Sequence, residues 1–220
     1  MDRGLSSTAM RLAFLIGVAL ACSGCNVIEQ PQGLIQRWTT AWREVATDND
    51  QSRLRDWRAT FVAALTAART AGHSGEIARE GALLDPDSAL GGGPIPNGTY
   101  RCRVIKLGAK APGNLAYVSY PGFTCRVAAE RNLQQLDKLN GSQRYVGLIF
   151  PGDAVRQVFL GTLVLGDESR ALQYGQDQTR DVVGYVERIG PDRWRLIMPK
   201  PHFESQLDVM ELVPLLERVR

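Results

Sequence analysis

The chain has 220 residues, 44% of them hydrophobic and 22% charged, with four cysteines, two histidines and a formal net charge of +3. These proportions exclude a disordered chain and one that spans a membrane throughout; they suit one globular domain plus an N-terminal extension. The charge falls to +2 when residues 1–21, with Arg3 and Arg11 against Asp2, are set aside, so electrostatics give no argument for nucleic acid or a strongly acidic partner.

Arg3 and Arg11 precede the apolar run Leu12 to Ala21, which is too short to span a bilayer and leads directly into Cys22, Ser23, Gly24 and Cys25. This is the layout of a secretion signal, with a basic region, an apolar centre and small residues at the cleavage site. A cysteine after Ser-Gly resembles the lipobox of bacterial lipoproteins, and that resemblance implies acylation of the cysteine and attachment to a membrane. Cys25 is the preferred acceptor, because cleavage before it leaves two cysteines in the folded part; Cys22, after Ala19-Leu20-Ala21, is the alternative. Asn26, where an aspartate would resemble an inner-membrane retention signal, directs the expectation to the periplasmic face of the outer membrane, with a soluble periplasmic protein as the alternative.

Residues 25–33 read as a tether and residues 34–90 as a helical segment. Leu34, Ile35, Trp38, Trp42 and Val45 recur at helical spacing, and Thr47-Asp48-Asn49-Asp50 interrupts them with residues that favour turns and N-caps. A second stripe of Leu54, Trp57, Phe61, Leu65 and Ala68 predicts one helix from about Gln51 to Ala71, with Gly72 at its C-terminal end. Two such neighbours predict an antiparallel helical hairpin whose tryptophans pack into the core. A shorter helix is expected from Ser74 to just before Asp85-Pro86, and Gly91-Gly92-Gly93-Pro94-Ile95-Pro96 then breaks regular structure.

Residues 91–220 read as an antiparallel barrel domain. On the strand Thr99 to Leu107, Tyr100, Cys102 and Val104 share one face while Arg101 and Arg103 take the other. Phe123, Cys125 and Val127 repeat that pattern, which predicts a Cys102–Cys125 disulfide that stabilises the domain by about 3.5 kcal/mol on a chain-entropy estimate. Leu133 to Leu139 and Ser142 to Phe150 flank Asn140-Gly141, a strong hairpin signal. Strands are also expected at Val155 to Leu165, weakly at Ala171 to Tyr174, at Asp181 to Ile189, Arg193 to Met198 and Leu207 to Val213. Gly147, Gly161 and Gly184 inside strands suggest bends or bulges of the kind a closing barrel needs. The fold class is therefore α+β: an N-terminal helical hairpin packed on an antiparallel meander that closes into an eight-stranded, lipocalin-like barrel, the last comparison resting on strand count alone.

No catalytic set stands out. His73 and His202 are isolated, and no nucleophile elbow, paired-histidine helix motif or phosphate loop occurs. Glu76, Glu80, Asp85 and Asp87 cluster around the third helix and read first as surface and capping carboxylates; a hydrolase of the cell envelope using that segment, or His202, is the alternative function. Arg101, Arg103 and Arg144, with Arg126 and Lys138 nearby, are the candidate ligand-binding cations. No metal set and no cofactor motif is recognised.

The stretches EIAREGALLDPD (Glu76 to Asp87), PNGTYRCRVIKLG (Pro96 to Gly108), NGSQRYVGLIFP (Asn140 to Pro151), FLGTLVLGDESRALQYG (Phe159 to Gly175) and DVVGYVERIGPDRWRL (Asp181 to Leu196) resemble an alphaproteobacterial family of envelope proteins of about this length, described as a domain of unknown function. The resemblance implies no activity, cofactor or site residue. The expectation is a lipid-anchored periplasmic protein that binds an apolar ligand, a lipid or an envelope protein, and not nucleic acid.

Overall fold

The computed structural model describes residues 39–166 and 168–215; the signal, Cys22, Cys25, the tether and the helical positions Leu34, Ile35 and Trp38 lie outside them. Alternating inward and outward side chains run along nine strands: β1 (Gly98–Ala109), β2 (Tyr117–Ser119), β3 (Phe123–Glu130), β4 (Leu133–Lys138), β5 (Gln143–Phe150), β6 (Arg156–Leu165), β7 (Asp181–Gly190), β8 (Arg193–Pro199) and β9 (Ser205–Pro214). Each pairs antiparallel with its neighbour, and β9 returns to pair with β1 from Tyr100↔Pro214 to Ala109↔Ser205, which closes an eight-stranded barrel. The short β2 continues the β1 edge beyond the point where β3 leaves it.

Side chains fill the barrel. Tyr100, Val104, Leu136, Ile149, Phe159, Leu196, Met210 and Leu212 are among its buried apolar residues, and the Cys102–Cys125 disulfide lies in the same cluster with its Cα atoms 5.9 Å apart. Gly147 and Gly161 face each other across β5 and β6 in unbroken register, so they are not the bulges the sequence suggested. A Cβ on either would come within 2.7 Å of Phe159 Cζ and closer still to a strand carbonyl, so these glycines admit the phenylalanine ring into the interior. The register shift falls instead between Arg188 and Gly190 at the end of β7.

The helices cover the outside of the barrel. Thr47 caps α2 (Asp48–Arg55) by accepting a hydrogen bond from the Asp50 amide at 3.2 Å. The single helix expected from 51 to 71 is divided at Asp56, whose backbone leaves the helical region and whose carboxylate takes Lys200 at 2.7 Å; α3 (Trp57–Thr70) follows it. It ends as the sequence indicated: Gly72 has φ +96°, and its amide and that of His73 return to Arg69 O and Ala68 O, a Schellman closure. Phe61, Ala64, Leu65 and Ala68 of α3 pack with Ile105 and Leu107 of β1 and Leu207 and Val209 of β9. Burying each large side chain there contributes roughly 1.5–3 kcal/mol. Of the first expected helix only one turn, α1 (Trp42–Val45), falls among the described residues. It packs with Leu54, Leu148, Phe150 and Leu160 over the outer face of β5 and β6.

The short α4 (Ser74–Glu80) and the 3-10 turn Gly81–Leu84 are held from the barrel by a buried cation. Arg195, fully buried, donates from Nη1 to the carbonyls of Ala82, Leu83 and Asp85 at 2.7–3.0 Å and pairs through Nη2 with Glu187 at 2.6 Å. The weak strand expected at Ala171 to Tyr174 is not a strand. That segment leaves the sheet so that the buried Tyr174 can donate its hydroxyl hydrogen to Asp50 of α2 at 2.6 Å and accept one from the Thr47 amide.

Candidate ligand site at one mouth of the barrel

At the end where β1 and β4 finish and β5 and β9 begin, the inward-facing positions change from apolar to charged. Val104 is followed on its face by Lys106, Leu136 by Lys138, and Met210 is preceded by Asp208. All three charged side chains are buried. Lys106 Nζ lies 3.1 Å from Asp208 Oδ2 and 3.1 Å from Glu204 Oε2. Tyr145 donates its hydroxyl to the same Asp208 oxygen at 3.1 Å, and the Ser205 hydroxyl donates to the other. Burial works against the Lys106 ammonium, but the two carboxylates outweigh it and leave its pKa raised. Tyr145 is held far above the usual phenol value by burial and then by Asp208, so it stays protonated and serves as a donor.

Lys138 has a different environment. Its ammonium donates to Asn140 O at 2.8 Å and Gln143 O at 2.7 Å, and sits 3.6 Å from the centre of the Phe123 ring. It makes no ion pair with any described carboxylate. Burial, then the positive charges of Arg144 and Lys106, lower its pKa to about 8. Lys138, Phe123, Tyr120, Ser142, Gln143 and Glu204 line a half-open cavity of about 380 Å³. Lys106, Gln143 and Tyr145 separate it from a second, water-sized cavity of about 20 Å³ that reaches Arg53, Asp181 and His202. The larger space therefore offers the Lys138 cation over the Phe123 ring, the Tyr120 ring, a hydroxyl, an amide and a Glu204 carboxylate already paired with Lys106, the chemistry of a site for a small ligand with an acidic group and an apolar part.

The cations singled out in the sequence are not brought together. Arg101 and Arg103 lie on the outer face of β1, and Arg144 lies on the outer face of β5 with β3 and β4 between. Arg103 is taken by Glu80 and Glu211, and Arg144 donates to the Glu168 carbonyl; Arg101 is exposed. Arg126 pairs with Asp137 at 2.8 Å on the barrel exterior. Nor do the carboxylates of the third helix converge. Glu76 meets His73 at 3.2 Å, Glu80 meets Arg103, Asp85 accepts from the Asp87 amide, and Asp87 pairs with Arg58 at 2.6 Å. His202 lines the smaller cavity and not the larger, and burial, then Arg53 and Lys110, lower its pKa. Among the described residues no group of three histidine, cysteine or carboxylate side chains is placed to hold a metal ion. Sequence reasoning missed Lys106 and Asp208. The available signal was a charge entering an apolar, every-second-residue run.

The family model for a domain of unknown function, DUF4893, matches residues 42–212. The chain belongs to that family. No curated protein and no solved structure matches it. The DUF4893 match begins at α1 and ends within β9, so the family's extent takes in both the barrel and the helices laid over it.

Proposed function

We propose that this DUF4893 protein is a binding protein of the bacterial cell envelope, with its ligand at the Lys138 mouth of the barrel. The observation that carries this reading is the roughly 380 Å³ cavity in which a buried lysine, without a carboxylate partner among the described residues, lies against an aromatic ring. A buried cation beside such a space favours an anionic ligand group, and Phe123, Tyr120 and Val104 suit an apolar portion of the same molecule. Because side chains fill the barrel axis, the apolar ligand expected from the sequence is assigned to the mouth and not to the interior.

The signal and lipobox support a lipid anchor on Cys25, with Cys22 as the alternative, and attachment to the periplasmic face of the outer membrane. The hydrolase alternative gains no support from the separate pairing of Glu76, Glu80 and Asp87.

Native mass spectrometry of protein gently extracted from its own membranes tests the ligand. A bound acidic or amphipathic molecule that is lost in folded Lys138→Met protein is the expected result; an empty parent protein, or a ligand retained by the variant, would overturn the assignment. Cys25→Ser should move the protein from the membrane to the soluble fraction, and Cys22→Ser should not.

A further inference from the structure

The opposite mouth of the barrel carries a second arrangement that the Lys138 site does not use. Leu90 bridges to β7 by donating its amide to Arg188 O at 2.8 Å, and the Gly91 to Pro96 strap then crosses the barrel end. The strap is anchored by Ile95, which is 1% exposed and sits in the barrel core. Its amide donates to Gln157 and its carbonyl accepts from Gln134. Beneath the strap lies a half-open cavity of about 310 Å³ bordered by Gly92, Gly93, Gly152, Val186, Arg188 and Trp194.

Arg188 is the cation of this cavity. Its Nε is buried with no hydrogen-bond partner, and its guanidinium makes no ion pair among the described residues. The strap backbone is pressed against it: a Cβ at Gly92 would sit 3.3 Å from both Nε and Cζ, so glycine leaves the guanidinium room to face the cavity. The other charges bordering the space are engaged. Arg156 donates to Glu187 at 2.6 Å and lies over the Trp57 ring, and Asp153 uses Oδ1 to accept from the Val155 and Arg156 amides. A planar guanidinium held by the strap at its covered Nε and left without an ion pair among the described residues, beside a tryptophan and glycine backbone, offers its two terminal amino groups as a fork for bidentate contact with an oxyanion.

We propose that this strap-covered mouth is a second ligand site, which takes the carboxylate or phosphate of a small molecule on Arg188 with the remainder of the molecule against Trp194 and Val186. The site is independent of the reading given for the Lys138 mouth.

The test is a titration of the ¹⁵N-labelled full chain with benzoate and, separately, with phenyl phosphate, following the Arg188 Nε–H signal and the amides of Gly92, Gly93 and Gly152. Saturable shifts at millimolar concentration or below are expected with at least one probe, and the responding probe identifies the oxyanion. Arg188→Met should abolish the shifts, and Arg188→Lys, which keeps the charge and loses the fork, should weaken binding by about tenfold or more. Thermal melts of both variants confirm that they remain folded, and the lysine variant keeps the test decisive if the methionine variant does not. Absence of saturable shifts with both probes, or equal binding by parent and Arg188→Met, would overturn the site. A signal that survives Arg188→Met but disappears in Lys138→Met belongs to the other mouth and also overturns it.

Discussion

Lys106 and Asp208 are direct partners across the β1–β9 seam, the pairing that closes the barrel, and their charged ends meet 3.1 Å apart in its interior. The seam therefore carries a buried ion pair where neighbouring inward positions are apolar. Removing one member of such a pair leaves an uncompensated buried charge, which costs about 3–5 kcal/mol. Asp208→Asn or Lys106→Met should lower the denaturation free energy by that order, whereas Lys106→Met combined with Asp208→Leu should cost far less. Chemical denaturation of the three variants checks this, and a single variant within about 0.5 kcal/mol of the parent would show that the pair does not support the seam. Because the folded pKa of Lys106 is raised, its contribution is fully present below the ordinary lysine value of 10.5 and is lost as pH rises through the higher folded value.

Lys138 gives the opposite dependence. Its folded pKa of about 8 lies below the ordinary 10.5, so between these values the unfolded chain binds more protons and stability rises with pH. Stability measured from pH 8 to 10.5 should climb in the parent, and Lys138→Met should lack that rise. Affinity for an acidic ligand at this mouth should fall over the same interval as the ammonium loses its proton. An affinity unchanged between pH 7 and 10 would separate Lys138 from ligand binding.

Asp181 begins β7 on the outer face, opposite Thr162 of β6 and under Arg53 of α2. Its Oδ2, Thr162 Oγ1 and Arg53 Nη2 are all buried without a hydrogen-bond partner among the described residues. Burial is the main cause of its raised pKa, about 6 against the ordinary 3.8. The native state consequently binds the proton more tightly, and this group's contribution is present below the unfolded value and lost as pH rises through about 6. Asp181→Asn should remove that decline and change stability at neutral pH by about 1 kcal/mol or less in the stabilising direction, because the amide supplies a donor without a charge. Thermal melts of parent and variant between pH 4 and 7 decide the point; parallel curves would contradict it.

The Arg195–Glu187 pair is wholly buried and also holds the Gly81–Leu84 turn by its carbonyls. Arg195→Met should destabilise by about 3–5 kcal/mol through the stranded Glu187 and the unpaired carbonyls. Hydrogen exchange should show the protection lost first in residues 81–86, since the 3-10 turn is anchored there. Exchange that accelerates uniformly instead would mean that Arg195 supports the barrel as a whole and not this segment in particular.

Much of this architecture was legible along the chain, because a strand repeats every two residues and a helix every 3.6. The alternation of Tyr100, Cys102 and Val104 with Arg101 and Arg103 determined which side chains enter the barrel, and the matching Phe123, Cys125 and Val127 identified the disulfide partner. Asn140-Gly141 determined the β4–β5 hairpin, and Gly72 determined the end of α3. These are local properties. Turn geometry and side-chain direction are set by a few neighbouring residues whatever the rest of the chain does. Tertiary structure alone decided that residue 106 meets residue 208, that Lys138 is buried with no carboxylate paired to it among the described residues, and that Arg103 is neutralised by Glu80 from a distant helix. Such contacts depend on which strand closes the ring and where the helices land on it. The charges read in sequence as one basic patch lie on different strands of a curved surface, while the buried ones converge because a closed barrel turns all inward positions toward the same axis.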